Sequence, residues 1–198
     1  MKKISVFASG SGSNLQSIID HIERGRLEAE IAFVLSNNSS ARALERARAH
    51  NIKAVHFSAK QYLAPELYAE ELLNLHREHG VELVLLAGYM KLLPDSFVRA
   101  YAGRILNIHP ALLPKFGGQG MYGIHVHEAV LKAGEKESGA SVHLVTEQYD
   151  EGAVVLQEKV PVRETDTPET LAKRVLEVEH RIYPKAVAMV LQGKTSIA

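Results

Sequence analysis

Along the first half of the chain, short apolar runs alternate with longer stretches of helical period. Residues 3–8, 29–35, 52–57 and 81–87 are mostly apolar, with no regular polar alternation. For 3–8 and 29–35 that is the pattern of buried strands, and 52–57 and 81–87 read as a third and a fourth strand. Between the first two runs, Leu15, Ile18, Ile19 and Ile22 recur at helical spacing, and Gly25 marks a helix stop. The polar turn S-N-N-S-S at 36–40 offers capping side chains for a helix over 41–50. A longer helix is expected over 64–79, with Leu67, Leu72, Leu73 and Leu75 on its apolar side and Gly80 closing it. Pro94 opens a short helix ending at Tyr101. Strand and helix in strict alternation predict an α/β fold: a Rossmann-like, mostly parallel sheet with helices on both faces.

The second half changes character. Residues 104–108 read as a fifth strand, after which 111–123 show no period and carry four glycines. Irregular loops of that length are usually functional. Helix returns at 126–132. Two further strands, 140–146 and 153–162, are joined by E-Q-Y-D-E-G, a link short enough only for antiparallel neighbours. Thr167 and Pro168 start the last helix, and Pro184 is expected to kink it. With no repeat or linker, one domain over 1–198 is expected.

Composition narrows the class. Lys+Arg and Asp+Glu both total 23, so the chain lacks the basic excess of a general nucleic-acid binder. It has no cysteine, which removes disulfides, zinc–thiolate sites and thiol nucleophiles. The opening M-K-K-I-S-V-F-A-S-G reads as a first strand rather than a signal peptide, and no run reaches the length of a membrane span. A soluble cytoplasmic protein, monomer or homodimer, without nucleic-acid or membrane partners, is expected.

Two stretches carry candidate chemistry. The first is Ser9-Gly10-Ser11-Gly12-Ser13-Asn14, a loop of small residues between the first strand and helix. Backbone N–H groups at such a helix start favour an anion. Leu15 stands where a dinucleotide fingerprint needs its third glycine, and no acid ends the second strand to hold a ribose. No Gly-Lys-Ser/Thr is present for a Walker loop. A monophosphate therefore fits better than NAD or ATP; a tight turn that only packs helix on sheet is the bland alternative.

The second stretch is R-I-L-N-I-H-P-A-L-L-P. Asn107 and His109 are two apart on a strand, so both side chains leave on one face. Pro110 ends the pairing, and ligands gather at such strand exits. An amide beside a protonatable ring suits a carbonyl oxygen that gains negative charge. A carboxylate to orient the ring is missing locally. Asp150, on the turn of the late hairpin, is a candidate that would raise the His109 pKa; Glu147 and Glu151 are rivals that sequence does not separate. His125 and His127 point apart on a helix, and with no obvious third ligand no metal is expected. Gly88 to Leu93 could line a flat ligand's pocket or be core.

These residues, with S-G-S-G-S-N-L-Q, A-G-Y-M-K-L-L, G-A-S-V-H-L-V-T-E-Q-Y-D-E-G and E-H-R-I-Y-P, make the chain resemble the phosphoribosylglycinamide formyltransferases nearly end to end. That family is folate-dependent and serves purine synthesis. The resemblance implies transfer of a formyl group from 10-formyltetrahydrofolate to 5-phosphoribosylglycinamide, with no metal. It implies that Gly12, Ser13 and Asn14 hold the ribose phosphate and that Glu179 meets the glycinamide end. It assigns Asn107, His109 and Asp150 as the catalytic trio. Folate is expected along Met90, Lys91, Leu92 and Leu93, at Asn107, and along Thr146, Glu147, Gln148 and Tyr149. About 1–100 would then form a phosphate-binding half and about 101–198 a catalytic, folate-binding half.

Two departures accompany the resemblance. Residues 116–124 lie in a loop longer than the family's usual Pro-Gly step, and the basic residue for the folate glutamate tail has only Lys60 as a candidate. Rival readings are a formyltransferase or formyltetrahydrofolate hydrolase with another acceptor, and a non-catalytic nucleotide-monophosphate-binding protein. A nicotinamide oxidoreductase is disfavoured by the missing glycine and acid.

Overall fold

The computed structural model describes residues 1–148 and 150–194. The chain forms two compact units, Met1–Leu106 and Asn107–Ala198.

The first unit contains β1 (Lys2–Phe7), α1 (Ser13–Glu23), β2 (Ala29–Ser36), α2 (Arg42–Ala49), β3 (Ala54–His56), a 3-10 turn (Ala59–Gln61), α3 (Pro65–Glu78), β4 (Leu83–Leu86) and α4 (Asp95–Ala100). Its strands lie in the order β3-β2-β1-β4, and β1–β2, β1–β4 and β2–β3 all pair parallel. Ile4, Val6, Phe33, Val34, Val84 and Leu85 are fully buried, as strands covered on both faces require.

Two local expectations are corrected here. The 36–40 turn does not cap α2: the cap position is Ala41, with no side-chain hydrogen bond. The polar side chains serve the turn itself, Asn38 Oδ1 accepting from the Ser40 N–H at 3.1 Å and Ser36 Oγ from the Asn38 N–H at 3.1 Å. The inward face of α3 is Tyr68, Ala69, Leu72 and His76, and Leu67 is 48% exposed. A stripe at 68, 72 and 76 follows the helical period better than the leucines do. His76 tolerates the core because its polar atoms are satisfied. Its Nδ1–H donates to the Leu72 carbonyl at 2.7 Å, leaving Nε2 to accept from Ser5 Oγ at 3.1 Å. Burial pushes its pKa down to about 4.

β5 (Ile105–His109) carries the chain into the second unit, followed by α5 (Ile124–Lys132), β6 (Glu137–Leu144), β7 (Val154–Pro161) and α6 (Pro168–Leu191). The order is β5-β6-β7, and β6 and β7 form the expected antiparallel pair. β6 begins three residues earlier than its apolar run, because Glu137 already pairs with Pro161. Thr167 and Thr170 cap α6 reciprocally, and the helix continues through a buried Pro184. Among the described residues no helix is long and apolar enough to cross a membrane. The architecture is the Rossmann-like, mostly parallel α/β arrangement with a late hairpin.

Candidate active site

In the first unit, Ser9 leaves β1 with its N–H on the Gly88 carbonyl at 3.0 Å. Its hydroxyl donates to Asn37 Oδ1 at 2.6 Å and accepts the Met90 N–H at 2.9 Å, tying the small-residue loop to the 88–93 loop. Gly12 caps α1 with φ 71°. A Cβ there would stand 2.8 Å from Ala43 Cα, so the close approach of α2 admits only glycine. The first turn of α1 holds no acidic residue and no side-chain cap. Its amino end, with Ser13 half-buried and Asn14 buried, suits an anion. Met90 and Leu92 are 54% and 63% exposed while Leu93 is buried and Lys91 exposed, so this loop offers apolar surface. Lys60 is exposed on the 3-10 turn.

The second unit assembles the polar constellation. His109 is buried at the end of β5, with Nδ1 3.7 Å from Asp150 Oδ2 and Nε2 2.7 Å from the Phe116 carbonyl. Asp150 Oδ2 accepts the Gly118 N–H at 2.9 Å, and Oδ1 lies 3.3 Å from His143 Nε2. Asn107 Nδ2 lies 3.0 Å from that same Nε2. His143 therefore joins the asparagine to the aspartate, and the aspartate joins it to His109. Glu147 and Glu151 are exposed, so Asp150 is the carboxylate that reaches the ring.

His143 is the residue of this set that sequence reasoning misses. The signal that could have found it is parity: on β6 it shares a face with Ser141, whose hydroxyl is buried against Ala111 and Leu113. Its Nδ1–H donates to the Leu144 carbonyl at 2.9 Å. A neutral ring then accepts from Asn107 through Nε2, whereas a protonated ring donates from Nε2 to Asp150.

The loop of residues 116–118 grips both His109 and Asp150, through the Phe116 carbonyl and the Gly118 N–H. Space at Gly117 between them is tight: a Cβ would meet Leu113 Cδ2 at 2.7 Å and Asp150 Cβ at 3.1 Å, so the leucine tip would have to move. Phe116 and Asp150 both adopt positive φ, 56° and 54°, in the left-handed region costly for such residues.

The electrostatics correct one expectation. Asp150 does favour charge on His109, as does the Phe116 carbonyl, but burial is the larger effect and the net pKa moves down. For Asp150, burial opposes ionisation. The His143 contact, the His109 ring and the Gly118 N–H outweigh it and hold the carboxyl below its usual range. His127, buried on α5, is pushed down to about 4 by burial and by the neighbouring His109. His125, on the same helix, is exposed and pairs with Glu128 at 3.1 Å.

Of the remaining candidates, Thr146, Glu147 and Gln148 are exposed on the hairpin turn, where Thr146 Oγ1 and the Gln148 backbone bond each other at 3.1 and 3.3 Å. Glu179 is buried on α6, and Tyr149 lies outside the described residues.

Comparison with known proteins gives a consistent set of relatives. A family model described as Formyl transferase matches residues 2–187. Phosphoribosylglycinamide formyltransferase, chloroplastic, of Arabidopsis thaliana is 44% identical over 194 residues, which is 98% of this chain. The chain spans 66% of that plant protein's length. Phosphoribosylglycinamide formyltransferase of Escherichia coli is 41% identical over 191 residues, covering 96% of this chain and 88% of the bacterial one. The crystal structure of glycinamide ribonucleotide transformylase 1 from Symbiobacterium toebii superposes with a TM-score of 0.91 at 42% identity, covering 98% of this chain and 89% of the other.

Proposed function

The chain belongs to the formyl transferase family, and from that premise we propose that it moves the formyl group of 10-formyltetrahydrofolate onto the amine of 5-phosphoribosylglycinamide, a step of purine biosynthesis in the cytoplasm. The observation that carries the reading is the linked set Asn107–His143–Asp150–His109 in the second unit. In the first unit, Gly12, Ser13 and Asn14 take the phosphate. Glu179 meets the glycinamide end. Met90 to Leu93, Lys60 and residues 146–149 take the folate.

The chemistry follows from what these groups can hold. The substrate amine attacks the formyl carbon, a C–N bond forms, and the carbonyl oxygen becomes an oxyanion. Asn107 and the His109 ring donate to that oxygen. In the resting site the His109 Nε2–H is spent on the Phe116 carbonyl; the substrate oxygen takes that carbonyl's place. Burial resists a charge on His109 at rest, and the arriving oxyanion reverses this by placing a second negative charge beside Asp150. The bond to the folate nitrogen then breaks, and the proton lost by the amine passes to that nitrogen through water beside Asp150. No metal takes part in these steps.

The test is an absorbance assay for deformylation of the folate donor by the purified protein, run with and without 5-phosphoribosylglycinamide. Deformylation that depends on the acceptor supports the reading. Release of formate at the same rate without acceptor would make the protein a hydrolase. Binding of both compounds with no turnover would make it a nucleotide-monophosphate-binding protein.

A further inference from the structure

Gln16 closes the S-G-S-G-S-N-L-Q motif and has no part in the chemistry above, yet it holds a cation, Arg46, beside that motif. Its side-chain carbonyl accepts from Arg46 Nη1 at 3.0 Å. Gln16 is itself fixed: Nε2 donates to Asp20 Oδ1 at 2.9 Å and lies 3.1 Å from His50 Nε2, whose Nδ1 is 2.6 Å from Glu23. Held in this way, Arg46 donates through Nε to the Ser11 carbonyl at 2.8 Å. One turn earlier on α2, the Ala43 N–H donates to the Gly10 carbonyl at 3.1 Å.

Two consecutive carbonyls of the anion loop are thus turned toward α2. In a planar trans peptide the C=O and the following N–H point in opposite directions. Fixing the carbonyls of Gly10 and Ser11 therefore turns the N–H groups of Ser11 and Gly12 away from α2, where an anion can meet them. The guanidinium also brings charge. Arg46 is half-buried, and among the described residues it makes no ion pair; its hydrogen-bond partners are a carbonyl and an amide. Its positive charge is left for a ligand, and the fork of donors fixes its position.

We propose that Arg46 is a positioning residue of the anion loop, which orients the Ser11–Gly12 peptide and lends an uncompensated positive charge to the phosphate monoester of the acceptor. This rests on the reading of the 9–14 loop as the phosphate site.

The experiment measures KM for 5-phosphoribosylglycinamide, KM for the formyl donor, kcat, and inhibition by inorganic phosphate in Arg46→Met, Arg46→Lys and Asn14→Ala. Arg46→Met raises the acceptor KM and the phosphate Ki about tenfold, the cost of one charge-assisted contact, while donor KM and kcat stay put. Arg46→Lys keeps the charge, loses the fork and falls between; it decides the matter if Arg46→Met does not fold. The proposal is overturned, with the phosphate reading intact, if Asn14→Ala raises both constants and neither Arg46 variant moves them. If Asn14→Ala also leaves them unchanged, the loop is not the phosphate site and both ideas fall. A fall in kcat with unchanged KM in the arginine variants marks a general structural role and also overturns it.

Discussion

Replacing Asp150 with asparagine tests the site where its parts meet. The substitution keeps the shape and an acceptor for the Gly118 N–H, which now lies 2.9 Å away. It removes the negative charge that faces His109 at 3.7 Å and His143 at 3.3 Å. The aspartate side chain is 12% exposed and that of His109 5%, so water screens the pair weakly. At an effective dielectric of about 20, unit charges at that separation attract by roughly 4 kcal/mol. Burial already disfavours charge on His109, and Asp150 is the larger of the two groups that offset it at rest. Transition-state stabilisation should fall accordingly, by about a hundredfold to a thousandfold in kcat, the range seen when one preorganised electrostatic group is lost. Steady-state turnover of both substrates measures it, with a thermal melt to show that the variant folds. Because Asp150 sits at φ 54°, where asparagine is at least as comfortable as aspartate, the fold should persist. Turnover within tenfold of the parent, in a folded variant, would refute the electrostatic argument.

Three further outcomes follow from the same geometry. His143→Gln should slow kcat by about ten- to a hundredfold and leave both KM values alone, because it loosens Asn107 and Asp150 together rather than removing a donor from the oxyanion; an unchanged kcat would remove His143 from the site. Gly152→Ala drives a Cβ into the Leu144 carbonyl, and the hairpin tip that carries Asp150 must shift; we expect a loss of about 3 kcal/mol or more, read by urea denaturation, and wild-type stability would show that the two backbones do not approach so closely. Stability should also fall on acidification: His76 is held neutral with a pKa of about 4 against 6.5 in the unfolded chain, so between those values the unfolded state binds a proton that the folded state refuses. Its contribution, on the order of 3 kcal/mol, is present in full above about pH 6.5 and is lost as the pH falls toward 4; a flat denaturation midpoint from pH 7.5 to 4.5 would show that the buried ring titrates normally.

The amino-acid sequence by itself determined the parallel half of the fold, because strands covered on both faces must be continuously apolar and the helices between them must show a stripe. It also determined that Asn107 and His109 share a face, since two residues on a strand have no other choice, and that Gly12 stands where the first strand turns into the first helix. These are local consequences of backbone period and sterics. Only the tertiary structure decided that Asp150, and not Glu147 or Glu151, reaches the imidazole. It alone brought in His143 from a strand 36 residues beyond Asn107. It reversed the expected direction for His109, because burial is a property of everything packed around the ring and the neighbouring carboxylate is only one part of that. The polar turn before α2 fits the same account: asparagine and serine side chains can serve a cap or a turn equally well, and the chain chose the turn once Gly10 was close enough to take the helix's free N–H. Periodicity is written residue by residue, whereas dielectric and distance exist only after distant segments share a volume.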